Sequence, residues 1–158
     1  MIKEKVILLL SWILTVIMLL IFVPGKKFRE AQVIFLFKQF ITWLFGLIAV
    51  ESKLIEYPVR IFTIATRASF TFEYFVYPAI SVIFCLYYPS KVKRFKVFLY
   101  YAGFCSAITI IEVLLEKYTV LINYLNWNWF HTWISLFITF FLSRYYYVWF
   151  FRLKAPKP

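Results

Sequence analysis

Five long apolar stretches occupy nearly the whole of this chain, each about as long as a helix needs to cross a bilayer. A hydrocarbon core about 30 Å thick takes roughly 20 residues of helix. The stretches cover residues 6–23, 31–50, 72–88, 97–115 and 129–151. The chain has 158 residues, so only short loops and ends remain, and it reads as a single integral membrane domain over 1–158. Backbone polar groups in lipid must be satisfied within each segment, which favours helices. A barrel would need short alternating strands, whereas these runs are continuously apolar. The expected fold is therefore all-α: a polytopic membrane helix bundle of five transmembrane helices, with a short interfacial segment between helices 2 and 3. Lys3 and Lys5 ahead of the first stretch imitate a signal peptide. That stretch outlasts the usual apolar core of roughly 7–15 residues, and its exit, Phe22-Val23-Pro24-Gly25-Lys26, lacks a small-x-small cleavage site. It is expected to stay attached.

The formal charge is +11, with seven Glu and no Asp. Sorting the basic residues by side gives an orientation. Lys26, Lys27, Arg29, Lys91, Lys93, Arg94, Lys96, Arg152, Lys154 and Lys157 fall on one side. Lys3, Lys5, Lys53, Arg60, Arg67 and Lys117 fall on the other. The richer side is expected to be cytoplasmic, which places the N-terminus outside and the C-terminus inside. The basic balance is thus read as a topology signal rather than a nucleic-acid surface. Lys91 to Lys96 could also attract anionic lipid heads. Cys85 and Cys105 both lie within apolar stretches without metal-ligand spacing, and are expected to be free and buried.

Each stretch carries a row of small or polar residues at helical spacing. The rows are Ser11 and Thr15; Lys38, Thr42 and Gly46; Glu73, Tyr77, Ser81 and Cys85; Cys105, Thr109, Glu112 and Glu116; and His131, Ser135, Thr139 and Ser143. In lipid such rows turn towards neighbouring helices. Glu73, Glu112, Glu116 and His131 fall at one depth near the outer boundary, and sequence spacing assigns them to an intramembrane polar cluster. Three readings of it stay open: an ion-paired knot, a cation or proton site, and a metal site. No tight metal motif supports the last. Lys38 and Arg144 fall in the inner half and are expected to snorkel to that interface as anchors. The loop 51–71 is apolar for a connector, and Pro58 interrupts it. It is expected to lie in the interface with Arg60 and Arg67 towards headgroups.

Four strings carry a resemblance: Leu54-Ile55-Glu56-Tyr57-Pro58-Val59-Arg60, Phe70-Thr71-Phe72-Glu73-Tyr74, Ile111-Glu112-Val113-Leu114-Leu115-Glu116-Lys117-Tyr118 and Leu142-Ser143-Arg144-Tyr145-Tyr146. Over residues 25–151 the chain resembles an uncharacterised family of small multi-span membrane proteins from spore-forming Gram-positive bacteria. The resemblance implies a bacterial cytoplasmic membrane and supplies no activity.

Enzyme chemistry is not expected. There is one His, no Gly-rich phosphate loop and no Gly-x-Ser-x-Gly. No catalytic residue, metal or cofactor is assigned. The expected role is a binding or assembly subunit in the membrane. Its partners would be the lipid bilayer and either another membrane protein or further copies of itself, with no nucleic acid. The alternative is a proton- or cation-conducting component that uses the Glu/His cluster.

Overall fold

The computed structural model describes residues 2–153. Lys154 and Lys157, which entered the charge reading, lie outside the described residues. The chain forms α1 (Ile2–Phe22), a single tight turn at Gly25–Lys27, α2 (Phe28–Glu51), β1 (Ile55–Glu56), a π-helical stretch (Phe70–Val76) running directly into α3 (Tyr77–Leu86), α4 (Arg94–Tyr118), β2 (Asn123–Tyr124) and α5 (Trp129–Phe150). All five apolar stretches are helical. Three helices are long and apolar enough to cross a membrane: Ile2–Phe22, Gly25–Glu51 with its leading turn, and Arg94–Tyr118. Phe70–Leu86 is shorter. α5 has the length, but Arg144 and a run of Tyr and Trp dilute its apolar content.

The polar rows do set the packing. The buried face of α2 is Ala31, Ile34, Lys38, Thr42 and Gly46, and that of α4 includes Cys105, Thr109 and Glu112. On α5, Thr139 and Ser143 are buried as expected, but the face is turned by one residue at its start. Thr132 points inward there, and His131 outward. α3 is buried almost all round, because α1, α2 and α5 surround it. Both cysteines are free and buried.

Pro78 explains the widened turn before α3. A proline has no N–H to donate. It stands four residues after Tyr74 and five after Glu73, so it can satisfy neither carbonyl in an ordinary or a widened turn. The strand of backbone closes instead through longer bonds, with Tyr77 N–H reaching Phe72 O. Two side chains of α2 supply the missing donors. Gln39 Nε2 donates to Tyr74 O at 2.9 Å, and Thr42 Oγ1 donates to Glu73 O at 2.6 Å. Side-chain donors of this kind let a proline-interrupted helix persist in an apolar setting.

The two ends of the bundle differ. One, the loop end, carries residues 52–69 and 119–128. There β1 and β2 pair antiparallel, Ile55 with Tyr124 and Glu56 with Asn123. Leu54 O also accepts from the N–H groups of Leu125 and Asn126. The other, the basic end, gathers the Lys26–Arg29 and Lys91–Lys96 segments. Tyr87 donates to Phe22 O at 3.0 Å, and Tyr147 donates to Glu30.

The loop 51–71 is anchored to the bundle and folded on itself. Ile55 and Tyr57 are buried within the bundle, while the tip, Phe62 to Ala65, is exposed. Arg60 does not reach outward. Its guanidinium donates to the carbonyls of Tyr57, Thr63 and Thr66 and folds the loop on itself. Arg67 is exposed.

Candidate functional site: a cavity at the loop end

A cavity of about 190 Å³ lies among α2, α3, α4 and α5, beneath the paired loops. That is enough room for a benzene-sized group. Glu73 and Glu112 both line it, with Thr42, Tyr57, Tyr77 and Thr132. Apolar walls come from Phe45, Ile48, Leu54 and Leu136.

The two carboxylates have different surroundings. Glu112 is buried and saturated. Tyr77 donates to its Oε2 at 2.7 Å, while Tyr124 and Thr132 donate to its Oε1 at 2.7 and 2.8 Å. Trp127 Nε1 in turn donates to Thr132 Oγ1 at 2.8 Å and fixes that hydroxyl. Glu73 is half-buried and receives one side-chain bond, from Tyr57 to Oε1 at 2.9 Å. Its Oε2 accepts none from the described residues. The widened turn carries Glu73 towards α2, where Gly46 makes room for it. A Cβ at Gly46 would stand 2.9 Å from Glu73 Cγ.

The loops supply two of these donors, and both phenols are held protonated. Burial, then the charge of Glu73, pushes the Tyr57 hydroxyl well above its ordinary range. Burial and Glu112 do the same to Tyr124. Neither tyrosine stood out in the sequence. The one available signal was the apolar character of the loop around Tyr57.

The sequence-derived cluster is brought together in part. Glu73 and Glu112 share the cavity. Glu116 is half-buried one turn further along α4, beside Tyr124 and off the cavity. His131 is exposed and packs against the Trp127 and Phe130 rings, so it is no partner of Glu112. An ion-paired knot is therefore not what forms: every side-chain donor to the two carboxylates among the described residues is a neutral hydroxyl. Among the described residues no group of three or more His, Cys, Asp or Glu is placed to hold a metal.

Lys38 corrects the snorkelling expectation. α2 begins at Phe28, which puts Lys38 about 15 Å along the helix, near its middle. Its side chain is fully buried and donates to Thr139 Oγ1 at 2.6 Å. The ammonium also sits 4.3 Å from the Phe140 ring centre. Thr139 lines the cavity, so the charge stands directly behind that wall. Arg144 does not simply snorkel either. It donates to Cys85 O at 3.2 Å, next to the last residue of α3, and stacks over Tyr88 at 4.1 Å. A cation at a helix C-terminus satisfies free carbonyls and opposes the helix dipole. Arg144 is thus a clasp between α5 and α3.

No family model, curated protein or solved structure matches this chain. The class defined here is an all-helical protein with three helices able to cross a membrane and, inside the bundle, a largely apolar cavity lined by two carboxylates.

Proposed function

We propose that the chain is a five-span protein of the bacterial cytoplasmic membrane that works as a binding subunit, its cavity being the place where a ligand or partner group is held. The N-terminus lies outside and the C-terminus inside. The gathering of Lys26, Lys27, Arg29, Lys91, Lys93, Arg94 and Lys96 at one end supports this orientation. The short Phe70–Leu86 helix is compatible with a fourth span, because neighbouring helices rather than lipid surround it. α5 completes the five, with Trp129 and Trp133 near one end and Tyr145 to Trp149 near the other, as interfacial aromatics are placed.

The observation that carries the binding reading is Glu73. Glu73 lines a 190 Å³ cavity, and no charged side chain of the described residues donates to its carboxylate. A carboxylate removed from water without a cationic partner is costly unless something positive or hydrogen-bonding joins it. The test is mild extraction from native membranes, followed by native mass spectrometry of what stays bound. A stoichiometric small molecule or second protein supports the reading, and a bare chain under all mild conditions contradicts it.

Proton or cation conduction is a second reading, favoured by the hydroxyls of Tyr57, Tyr77, Thr132, Ser135 and Thr139 that line the cavity, with Lys38 bonded to Thr139. Flux into liposomes that is lost in Glu73→Gln would establish it.

A further inference from the structure

α2 and α5 touch near mid-bundle, where Lys38 meets Thr139 and Phe37 stacks on Tyr146 at 4.0 Å. Beyond those contacts, towards the loop end, the cavity separates the two helices. Phe45 and Ile48 of α2 line it, yet about half of each side chain is exposed, 48% and 51%. These residues lie on the apolar flank of the bundle, so the open side of the cavity faces whatever surrounds the helices. The loop end is covered by the β1–β2 pair and by buried Tyr57. At the depth of the slot stands Glu73, with one oxygen free and room made for it by Gly46.

The walls select among positive ligands. A proton needs no void. A hydrated inorganic cation gains nothing from Phe45, Ile48 and Leu136. A molecule with an N–H-bearing ammonium on an apolar body uses both features, because the ammonium donates to Glu73 while the body stays in the apolar slot and its mouth.

We propose that the cavity binds the primary ammonium of an amphiphile, admitted sideways between α2 and α5, with Glu73 as the acceptor. This rests on the binding reading above and names its ligand. Glu112, saturated by three hydroxyls, holds Tyr77, Tyr124 and Thr132 in place and does not take the ligand.

The experiment is native mass spectrometry of the full chain titrated with phosphatidylethanolamine, with phosphatidylcholine of the same acyl chains, and with free ethanolamine. The expected result is retention of the ethanolamine lipid over the choline lipid by about tenfold, the worth of one charge-assisted hydrogen bond. Glu73→Gln should abolish that preference. Ile48→Trp, at an exposed position of the mouth, should reduce retention with the fold intact, and it carries the test if Glu73→Gln fails to fold. Equal retention of the two lipids overturns the proposal, as does a preference untouched by both variants. Free ethanolamine held as firmly as the lipid keeps the binding reading but overturns the amphiphile. A bound protein with no retained amine likewise overturns the amphiphile alone. A chain that retains nothing overturns both.

Discussion

At the basic end, Phe84 is fully buried and touches Tyr100, Tyr101, Phe104 and Phe140 with ring centres 4.6–5.3 Å apart. At the loop end, the same helices part around a 190 Å³ cavity edged by two carboxylates and a set of hydroxyls. Rings filling space hold helices together through packing, the main attraction available when the surroundings are as apolar as the side chains. A void forfeits that packing. The contrast teaches that two means hold the helices: ring packing around Phe84, and around the cavity two loops with a set of directed hydrogen bonds.

The comparison can be broken from either side. The largest effect belongs to the packed end. Phe84→Ala should cost about 3–5 kcal/mol, the usual toll of deleting a buried aromatic ring. It should be visible in denaturant unfolding of the detergent-solubilised protein, and a loss as small as that of a surface substitution would remove the distinction between the ends. Next comes Lys38→Met. A buried ammonium with a single hydrogen-bond acceptor contributes little to folding, and an apolar residue of similar volume should leave stability unchanged or raise it by about 1–4 kcal/mol. Thr139 keeps an acceptor in Leu136 O. Clear destabilisation would make Lys38 part of the scaffold.

Thr42→Val removes the donor to Glu73 O and leaves that carbonyl without it. Hydrogen bonds between membrane helices average about 0.6 kcal/mol and reach about 1.7 kcal/mol. Loss within that range is expected, together with weaker ligand retention, because the turn that carries Glu73 relaxes. The smallest effect is one of pH. The Tyr57 and Tyr124 phenols ionise only above their ordinary range when folded, so the folded state holds protons that the unfolded state releases. Their contribution should be complete below about pH 10 and should decline as pH rises beyond it. Tyr57→Phe should flatten that decline, as measured by unfolding midpoints between neutral and alkaline pH.

The helices and their inward faces were legible because polar spacing in an apolar run has few other uses. Lys38, Thr42 and Gly46 fell on the buried stripe of α2, and Cys105, Thr109 and Glu112 on that of α4. Side-chain direction was less legible. Lys38 lies in the half of α2 nearer the basic end, as its position in the stretch predicts, but its side chain turns across the bundle to Thr139. His131 shared a four-residue row with Thr139 and Ser143, but Asn128 caps α5 by accepting from the N–H groups of Phe130 and His131, and the first turn then presents Thr132 instead. The site itself was half visible. Glu73 and Glu112 stood out as acids in apolar sequence. Tyr57 and Tyr124 did not, because their positions depend on two loops pairing across residues distant in the chain. The widened turn was hidden too, since Pro78 marks an interruption but not which side chains of α2 repair it.

The most direct test of the central claim asks which carboxylate is open. The purified protein in phosphatidylcholine vesicles free of lipid amines would be treated with dicyclohexylcarbodiimide, an apolar reagent for carboxyl groups in lipid, and the adduct located by peptide mass mapping. If the cavity is open sideways with Glu73 as its free acceptor, label should appear on Glu73 and not on Glu112, and Ile48→Trp should slow it. Labelling of Glu112 in place of Glu73, or of neither, would contradict the account.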